Sequence, residues 1–525
     1  MITIVLSQIL GLVRQRLLVG IFGASDTLGI YLASSRLPDF LFQITIAGAL
    51  SSAFIPVFSE YLVKKNKEDA YRLGSTLFVL GLLSFSVLSL ILFIFANDFL
   101  KLMAPGLSSN HITLMASLMK IIIFGELLFI VGSFLSVTLQ SYNHFFIPGI
   151  ASALYNLGII IGILILHPFI GIFSAAYGVI LGSAIFLLVQ LPKIKNVGFS
   201  FLPTLSLKTT GVLEVIKLMW PRTLSIAIFQ IGAILTFTLV SFLPNAGRNY
   251  VIFDYAQTLA FAPIVLFGQA IAQAAFPILA REKNNIDEFK ETFITSLNQI
   301  LYLVLPVSIL FLVLRIPIVR LIFGAAQFDW QATVLTGKTL AFFSISIFAQ
   351  ALISLVSRGF YALHDTKTPL YIGAFSTIFM IVLGFLFIRI SHMGVDSIAI
   401  AYSIANIVNL LVLFICLDKK TGGFNRANLI LPISKIFIAT IFTGFALYIP
   451  IKLLDQLVFD TTRTINLLLL TGVSSVIGLS LYLLLTWLFN VKEATTFLLI
   501  FKRIGNWKEI LAKSKEPIEN TTFNP

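Results

Sequence analysis

Runs of about twenty apolar residues recur fourteen times along this chain, and that repetition limits its fold more than any other property. A hydrocarbon core of about 30 Å is crossed by about 20 residues of α-helix, because a helix satisfies its backbone N–H and C=O groups within one segment. Numbered helix 1 to helix 14, the runs cover 1–22, 27–58, 76–96, 113–138, 145–166, 169–190, 213–243, 249–280, 291–313, 334–357, 369–391, 394–416, 433–454 and 465–489. The expected fold is an all-α polytopic membrane protein with 14 transmembrane helices. Only 11% of residues are charged, against about 25% in a soluble domain. Helices 2, 7 and 8 are long, and Pro38 and Pro221 lie inside helices 2 and 7. With Gly48 they mark the expected kinks or hinges.

A net charge of +13 would suit a nucleic-acid partner, so its distribution decides the matter. With the N-terminus placed in the cytoplasm, 22 of the 36 Lys and Arg face inward and 7 face outward. That is the positive-inside pattern, and it predicts a multi-pass plasma-membrane protein with both termini cytoplasmic. The basic excess faces anionic lipid. Nucleic acid is set aside. Cys416 is the only cysteine, so a disulfide framework and a cysteine metal site are excluded. Helix 1 lacks a basic leader and a small-residue cleavage site, and reads as retained rather than as a signal peptide. The segment 490–525 begins amphipathic and basic and ends polar, as expected of a cytoplasmic surface helix followed by disorder.

The two halves repeat at a near-constant offset. FIPVFSEYLVKKNKEDAYRLGSTL from Phe54 parallels FPILAREKNNIDEFKETFITSL from Phe276. FLKLMAPG from Phe99 parallels IVRLIFGA from Ile318, and SYNHFFIPGIASALYNLGIIIG from Ser141 parallels FYALHDTKTPLYIGAFSTIFMIVLG from Phe360. Pro56 pairs with Pro277 and Pro148 with Pro369, each 221 residues apart. Six helices separate equivalent elements, so the halves insert in the same orientation. The expected organisation is two parallel-repeat lobes, 1–200 (helices 1–6) and 201–432 (helices 7–12), then helices 13 and 14 over 433–489 and the tail 490–525. Such a duplication suits alternating access around a site between lobes; a duplicated channel or membrane enzyme is the competing reading.

Ionisable groups inside the spans are few: Arg14 and Arg16 in helix 1, Arg36 and Asp39 in helix 2, Glu126 in helix 4, Arg222 in helix 7 and Asp254 in helix 8. Charge facing lipid is disfavoured, so helices 1, 2, 7 and 8 are expected to line a shared cavity. Arg14 shares one small, polar face with Ser7 and Gly11. Arg16 points elsewhere, toward the interface or toward Asp26. Asp39, Asp254 and Glu126 are the expected ion-pairing or coupling acids. Arg14 with Asp39, or Arg36 with Asp39 three residues on, would be structural pairs. Arg222, near the cytoplasmic end, could equally anchor to headgroups. A guanidinium fork suits a phosphate or pyrophosphate, and three arginines against two nearby acids favour an anionic headgroup over a cationic drug.

No catalytic arrangement competes. The five histidines are scattered without metal-ligand spacing, and no P-loop is present, so neither a metal nor another cofactor is expected. The longest outer loops carry Asp98 and Asp329 singly, too little for a glycan-processing enzyme.

Three stretches carry a resemblance: LGLVRQRLLVGIFGASD, RLPDFLFQITIAGALSSAFIPVFSEY and RGFYALHDTKTP, with APG at 104–106, NHFFIPGIASALYN and FDWQAT in support. The chain resembles the MurJ (MviN) lipid II flippases, a branch of the multidrug/oligosaccharidyl-lipid/polysaccharide exporter superfamily. The resemblance implies a V-shaped pair of six-helix lobes, a central cationic cavity walled by helices 1, 2, 7 and 8, and a polyprenyl groove on helices 13 and 14. It implies passage of the lipid-linked disaccharide-pentapeptide from inner to outer leaflet of the bacterial inner membrane, for peptidoglycan synthesis. Membrane potential or an ion gradient would drive it, in a monomer associated with cell-wall synthesis enzymes.

The carry-over is incomplete. Arg14 matches the arginine of the family's LGxxR motif, but the arginine often found after its serine is Gln8. The arginine pair following RLPN in many members is Phe42 and Gln43, and the acid of AEGA is Ala47. Where relatives read YADRL this chain has YAQTL, with Gln257 and Thr258, and an acid common in early helix 2 is Gly29. The headgroup site is therefore expected to use Arg14, Arg36 and Arg222 with Gln8, Gln43 and Gln257. Export of another polyprenyl-pyrophosphate-linked oligosaccharide is the alternative.

Overall fold

The computed structural model describes residues 2–63, 67–202, 211–325, 327–390, 393–457 and 463–495; within them the side chains of several helical residues, 46–53 and 220–222 included, are not described. Among the described residues, twelve helices are long and apolar enough to cross a membrane. The two expected spans outside that count are helix 2, which is broken into short pieces, and helix 7, whose described apolar stretch is Ile226–Ser241.

Helix 2 runs as Asp26–Ser34, Arg36–Phe42, a π-turn Gln43–Ala47 and Gly48–Val63. Ser25 caps its start, its hydroxyl accepting from the Leu28 N–H at 3.2 Å. The break at Ser35 follows from Pro38, which has no N–H to offer the Ser34 carbonyl four residues back. Helix 8 is built alike: Ala246–Pro263, a π-turn Ile264–Gln269, then Ala270–Arg281. The two π-turns begin at Gln43 and Ile264, and thus keep the 221-residue offset read from the prolines. The same offset relates Asn143 and His364, the residues with φ of 60° and 58° that end helices 4 and 10. Each is followed by the same closing bond, His144 N–H to Leu139 O and Asp365 N–H to Phe360 O, both 2.9 Å. Helix 7 continues from Val212 to Ser241 without interruption at Pro221, whose side chain lies outside the described residues.

The chain divides between two compact units, and the division falls within helices 8, 10 and 12 rather than between the sequence halves. The first holds 1–259, 315–343 and 367–409. There Phe54, Phe58, Phe85 and Phe134 form a core with the start of helix 7 at Val212 and Val215. Helices 5 and 6 meet backbone to backbone, with Gly158 facing Gly182 and Gly162 facing Gly178. The second unit holds 260–314, 344–366 and 410–525. Its core stacks Phe289, Phe293 and Phe424, and helix 14 is tied to helix 9 by the Tyr482 hydroxyl donating to Tyr302 O at 2.7 Å. The tail from 496 onward lies outside the described residues.

Candidate functional site

The expected charges of helices 1, 2 and 8 converge in the first unit, near the end at which helix 1 finishes, here called the distal end. Arg36 opens its segment of helix 2 and donates through Nη2 to Asp254 Oδ1 and through Nε to the Tyr250 hydroxyl, both at 2.5 Å. The pair is only partly exposed, 26% for Arg36 and 15% for Asp254. Asp39 is not the partner that its spacing offered. It lies in the first turn of the Arg36–Phe42 segment, where N–H groups favour a carboxylate, and it accepts from the Ser35 hydroxyl at 2.9 Å. Arg14 is half-buried and forms no hydrogen bond or ion pair with another described residue, although it lies close enough to act on the charges of Asp39 and Asp254. The Ser7–Gly11 face that it shares packs on helix 5, where Asn156 Nδ2 donates to Ser7 O at 3.3 Å.

Arg16 does not reach Asp26. Its guanidinium donates to the carbonyls of Leu321 at 2.9 Å and Gly324 at 3.4 Å, at the C-terminal end of the short helix Arg315–Phe323. Unpaired carbonyls and the helix dipole favour a cation there. Asp26 instead receives the Arg248 backbone N–H at 3.0 Å, and the Arg248 guanidinium holds Asp329 at 2.9 Å. Partial burial of Asp329 opposes ionisation, but the Ala332 N–H and Arg248 outweigh it and hold the carboxyl below the usual aspartate value.

Close backbone contacts at Gly29 and Gly106 complete this distal closure, which the sequence marked only as a missing acid and as part of the APG motif. A Cβ on Gly29 would fall on the Gly247 carbonyl, and one on Gly106 would fall on the Ser241 carbonyl. Helices 2 and 8 therefore touch backbone to backbone, and the APG motif docks on helix 7, where the Thr238 hydroxyl donates to Met103 O at 2.7 Å. Tyr255 links helices 8 and 1 by donating to Gln15 O at 3.2 Å.

The remaining expected residues are dispersed. Gln8 is exposed, Gln43 opens the first π-turn, and Gln257 turns to the Tyr402 hydroxyl of helix 12. Gly48 begins the last piece of helix 2. The side chain of Arg222 lies outside the described residues. Among described groups the cluster holds two guanidiniums, Arg14 and Arg36, and three carboxyls, Asp39, Asp254 and Glu126. Those five are not a positive set. Among the described residues no group of His, Cys, Asp and Glu could hold a metal ion.

The family model described as lipid II flippase MurJ matches residues 18–469. This chain belongs to the MurJ family. It is accordingly a multi-pass membrane transporter and not an enzyme. The matched stretch takes in both repeats and helix 13, and begins after Arg14 and Arg16. A probable lipid II flippase MurJ of Buchnera aphidicola subsp. Baizongia pistaciae is 28% identical over 450 residues, 85% of this chain and 87% of that protein. Lipid II flippase MurJ of Burkholderia cenocepacia is 26% identical over 426 residues, 79% of this chain and 82% of that protein. A solved lipid II flippase MurJ in an inward closed conformation shares the fold with a TM-score of 0.73, at 23% identity, covering 92% of this chain and 98% of that one. An inward-facing multidrug resistance MATE family transporter shares it with a TM-score of 0.68, at 14% identity, covering 79% of this chain and 94% of that one. Within the MurJ family the glycine at position 29 has a local reason in this chain: any side chain there would enter the Gly247 backbone.

Proposed function

We propose that this chain is a lipid II flippase that moves the polyprenyl-pyrophosphate-linked peptidoglycan precursor from the inner to the outer leaflet of a bacterial plasma membrane by alternating access. The observation that carries the reading is the contrast between two arginines: Arg36 is occupied in the distal closure by Asp254 and Tyr250, while Arg14 beside it has no such bond among the described residues. A free guanidinium next to a closed end can take a pyrophosphate through two parallel hydrogen bonds. The distal end is the outer end, given cytoplasmic termini and the inward excess of Lys and Arg.

Arg14 grips the pyrophosphate while the outer end is shut. Opening breaks the Arg36–Asp254 pair and the Arg16 bonds, and Arg36 is then available to the departing headgroup. Cationic character at the headgroup comes from Arg14 and Arg222, with Gln8 and Gln43 as neutral donors. Helices 13 and 14 take the polyprenyl tail. The sequence carries no P-loop for ATP, and the driving force in this reading is the membrane potential or ion gradient that the family resemblance implies. Export of a different polyprenyl-pyrophosphate-linked oligosaccharide is the second reading, favoured by Gln8, Gln257 and Thr258 in places where relatives carry charge.

The test is complementation of a strain depleted of its lipid II flippase, with lipid II exposed at the outer leaflet read by an impermeant probe. Restored growth together with restored exposure is expected. Lysis with the protein present in the membrane at normal abundance would overturn the lipid II reading and leave the second.

A further inference from the structure

Glu126 is the one acid of helix 4, and it takes no part in the closure described above. It is 6% exposed, and its Oε2 has no hydrogen-bond partner among the described residues. Lys120, the other charge on that helix, lies six residues away with its ammonium over the Phe93 ring at 4.9 Å. The groups that bear on Glu126 are Asp39 from helix 2 and Tyr155 from helix 5. Arg14 and Tyr31 act on Tyr155, and Arg14, Arg36 and Asp254 act on Asp39. Helix 6, packed against the flank of helix 4 at Gly125, contains no Asp, Glu, Lys, Arg or His, and its one tyrosine, Tyr177, is exposed. Phe129, one turn on, stacks with Phe186 and meets Tyr155.

An ionised carboxylate in such a place is unfavourable unless a cation offsets it, and the charge that acts on Glu126 is another carboxylate, Asp39. The protonated acid carries no such cost. Two neighbouring carboxyls in low dielectric hold a single proton more readily than two negative charges. Helix 2, which carries Asp39, also carries Arg36, whose bond to Asp254 forms the closure.

We propose that Glu126, with Asp39 beside it, is a proton-binding site of the transport cycle. Glu126 takes its proton from water and holds it in the closed arrangement seen here. When Arg36 leaves Asp254 and water reaches Asp39, the proton returns to water through Asp39, with no other reactant consumed. The role in transport rests on the flippase reading; occupancy by a proton does not.

The experiment therefore has two arms, both on the purified full-length chain in lipid vesicles. In the first, the infrared C=O stretch of a protonated carboxyl is recorded at neutral pH. Wild type should show a band that Glu126→Gln lacks and that Glu126→Asp keeps in shifted form. No difference between wild type and the folded Glu126→Gln protein overturns the site. In the second, movement of a fluorescent lipid II analogue is followed with and without an imposed pH gradient. Wild type and Glu126→Asp should respond to the gradient, and Glu126→Gln should lose the response. A Glu126→Gln response equal to wild type overturns the coupling. Absence of lipid II movement by wild type under every gradient counts against the flippase reading, and the infrared arm still decides the proton site.

Discussion

A guanidinium in a low-dielectric setting needs compensation, and three arginines of the first unit differ in how they find it. Arg36 has a carboxylate and a phenol, Arg16 has the carbonyls at the end of a short helix, and Arg14 has charges nearby but no bond among the described residues. Arg14→Ala should abolish complementation at normal abundance, while Arg14→Lys, which keeps the charge but loses the planar fork, should retain part of it. Loss of one charged hydrogen bond corresponds to about 1.5–3 kcal/mol, or roughly tenfold to a hundredfold in headgroup affinity. Arg16→Ala should weaken the outer closure rather than the headgroup site. A cross-link between cysteines at 26 and 248, with Cys416 replaced by serine, should form more slowly in that variant. An unchanged rate would return Arg16 to a purely interfacial role. Spacing identified Arg14 as the arginine on the small, polar face, but it offered Arg36 the wrong partner. Sequence distance ranks neighbours on one helix; Asp254 lies 218 residues away.

At the scale of elements, the informative features are the interruptions. Helices 2 and 8 each contain a π-turn at the repeat-related position, and both are helices whose distal ends make the closure. A π-turn accommodates one residue more than the α-helix and often marks a functional site. Deleting Leu266, which is 65% exposed, should regularise helix 8 with little loss of packing. The expected result is a stable protein that no longer moves lipid II, read by abundance and outer-leaflet exposure. Full activity in that deletion would show that the π-turn is dispensable. Prolines 38 and 221 were both expected to disturb their helices. Pro38 does, because it has no N–H to give the Ser34 carbonyl; helix 7 stays helical from Val212 to Ser241 through Pro221.

For the whole molecule, orientation is the property that composition argues most directly. Cysteines introduced singly at Asn110 and Asn285, with Cys416 replaced by serine, should separate the two faces. The position at 110 should react with an impermeant thiol reagent added to intact cells, and the position at 285 only after the membrane is opened. The reverse pattern would invert the topology and with it the direction proposed for transport.

The sequence by itself determined the membrane class, the number of apolar runs, the 221-residue repeat and the short roster of intramembrane charges. Each follows from local hydrophobicity or from self-similarity, which need no knowledge of folding. Tertiary structure decided which charges meet: Arg36 with Asp254, Arg16 with helix-end carbonyls, and Glu126 buried beside Asp39. It also decided that Gly29 and Gly247 must be glycines for helices 2 and 8 to touch. Those outcomes depend on which faces pack between helices far apart in the chain, and apolar spans that must each satisfy the bilayer carry little in their own pattern to say which neighbour they choose.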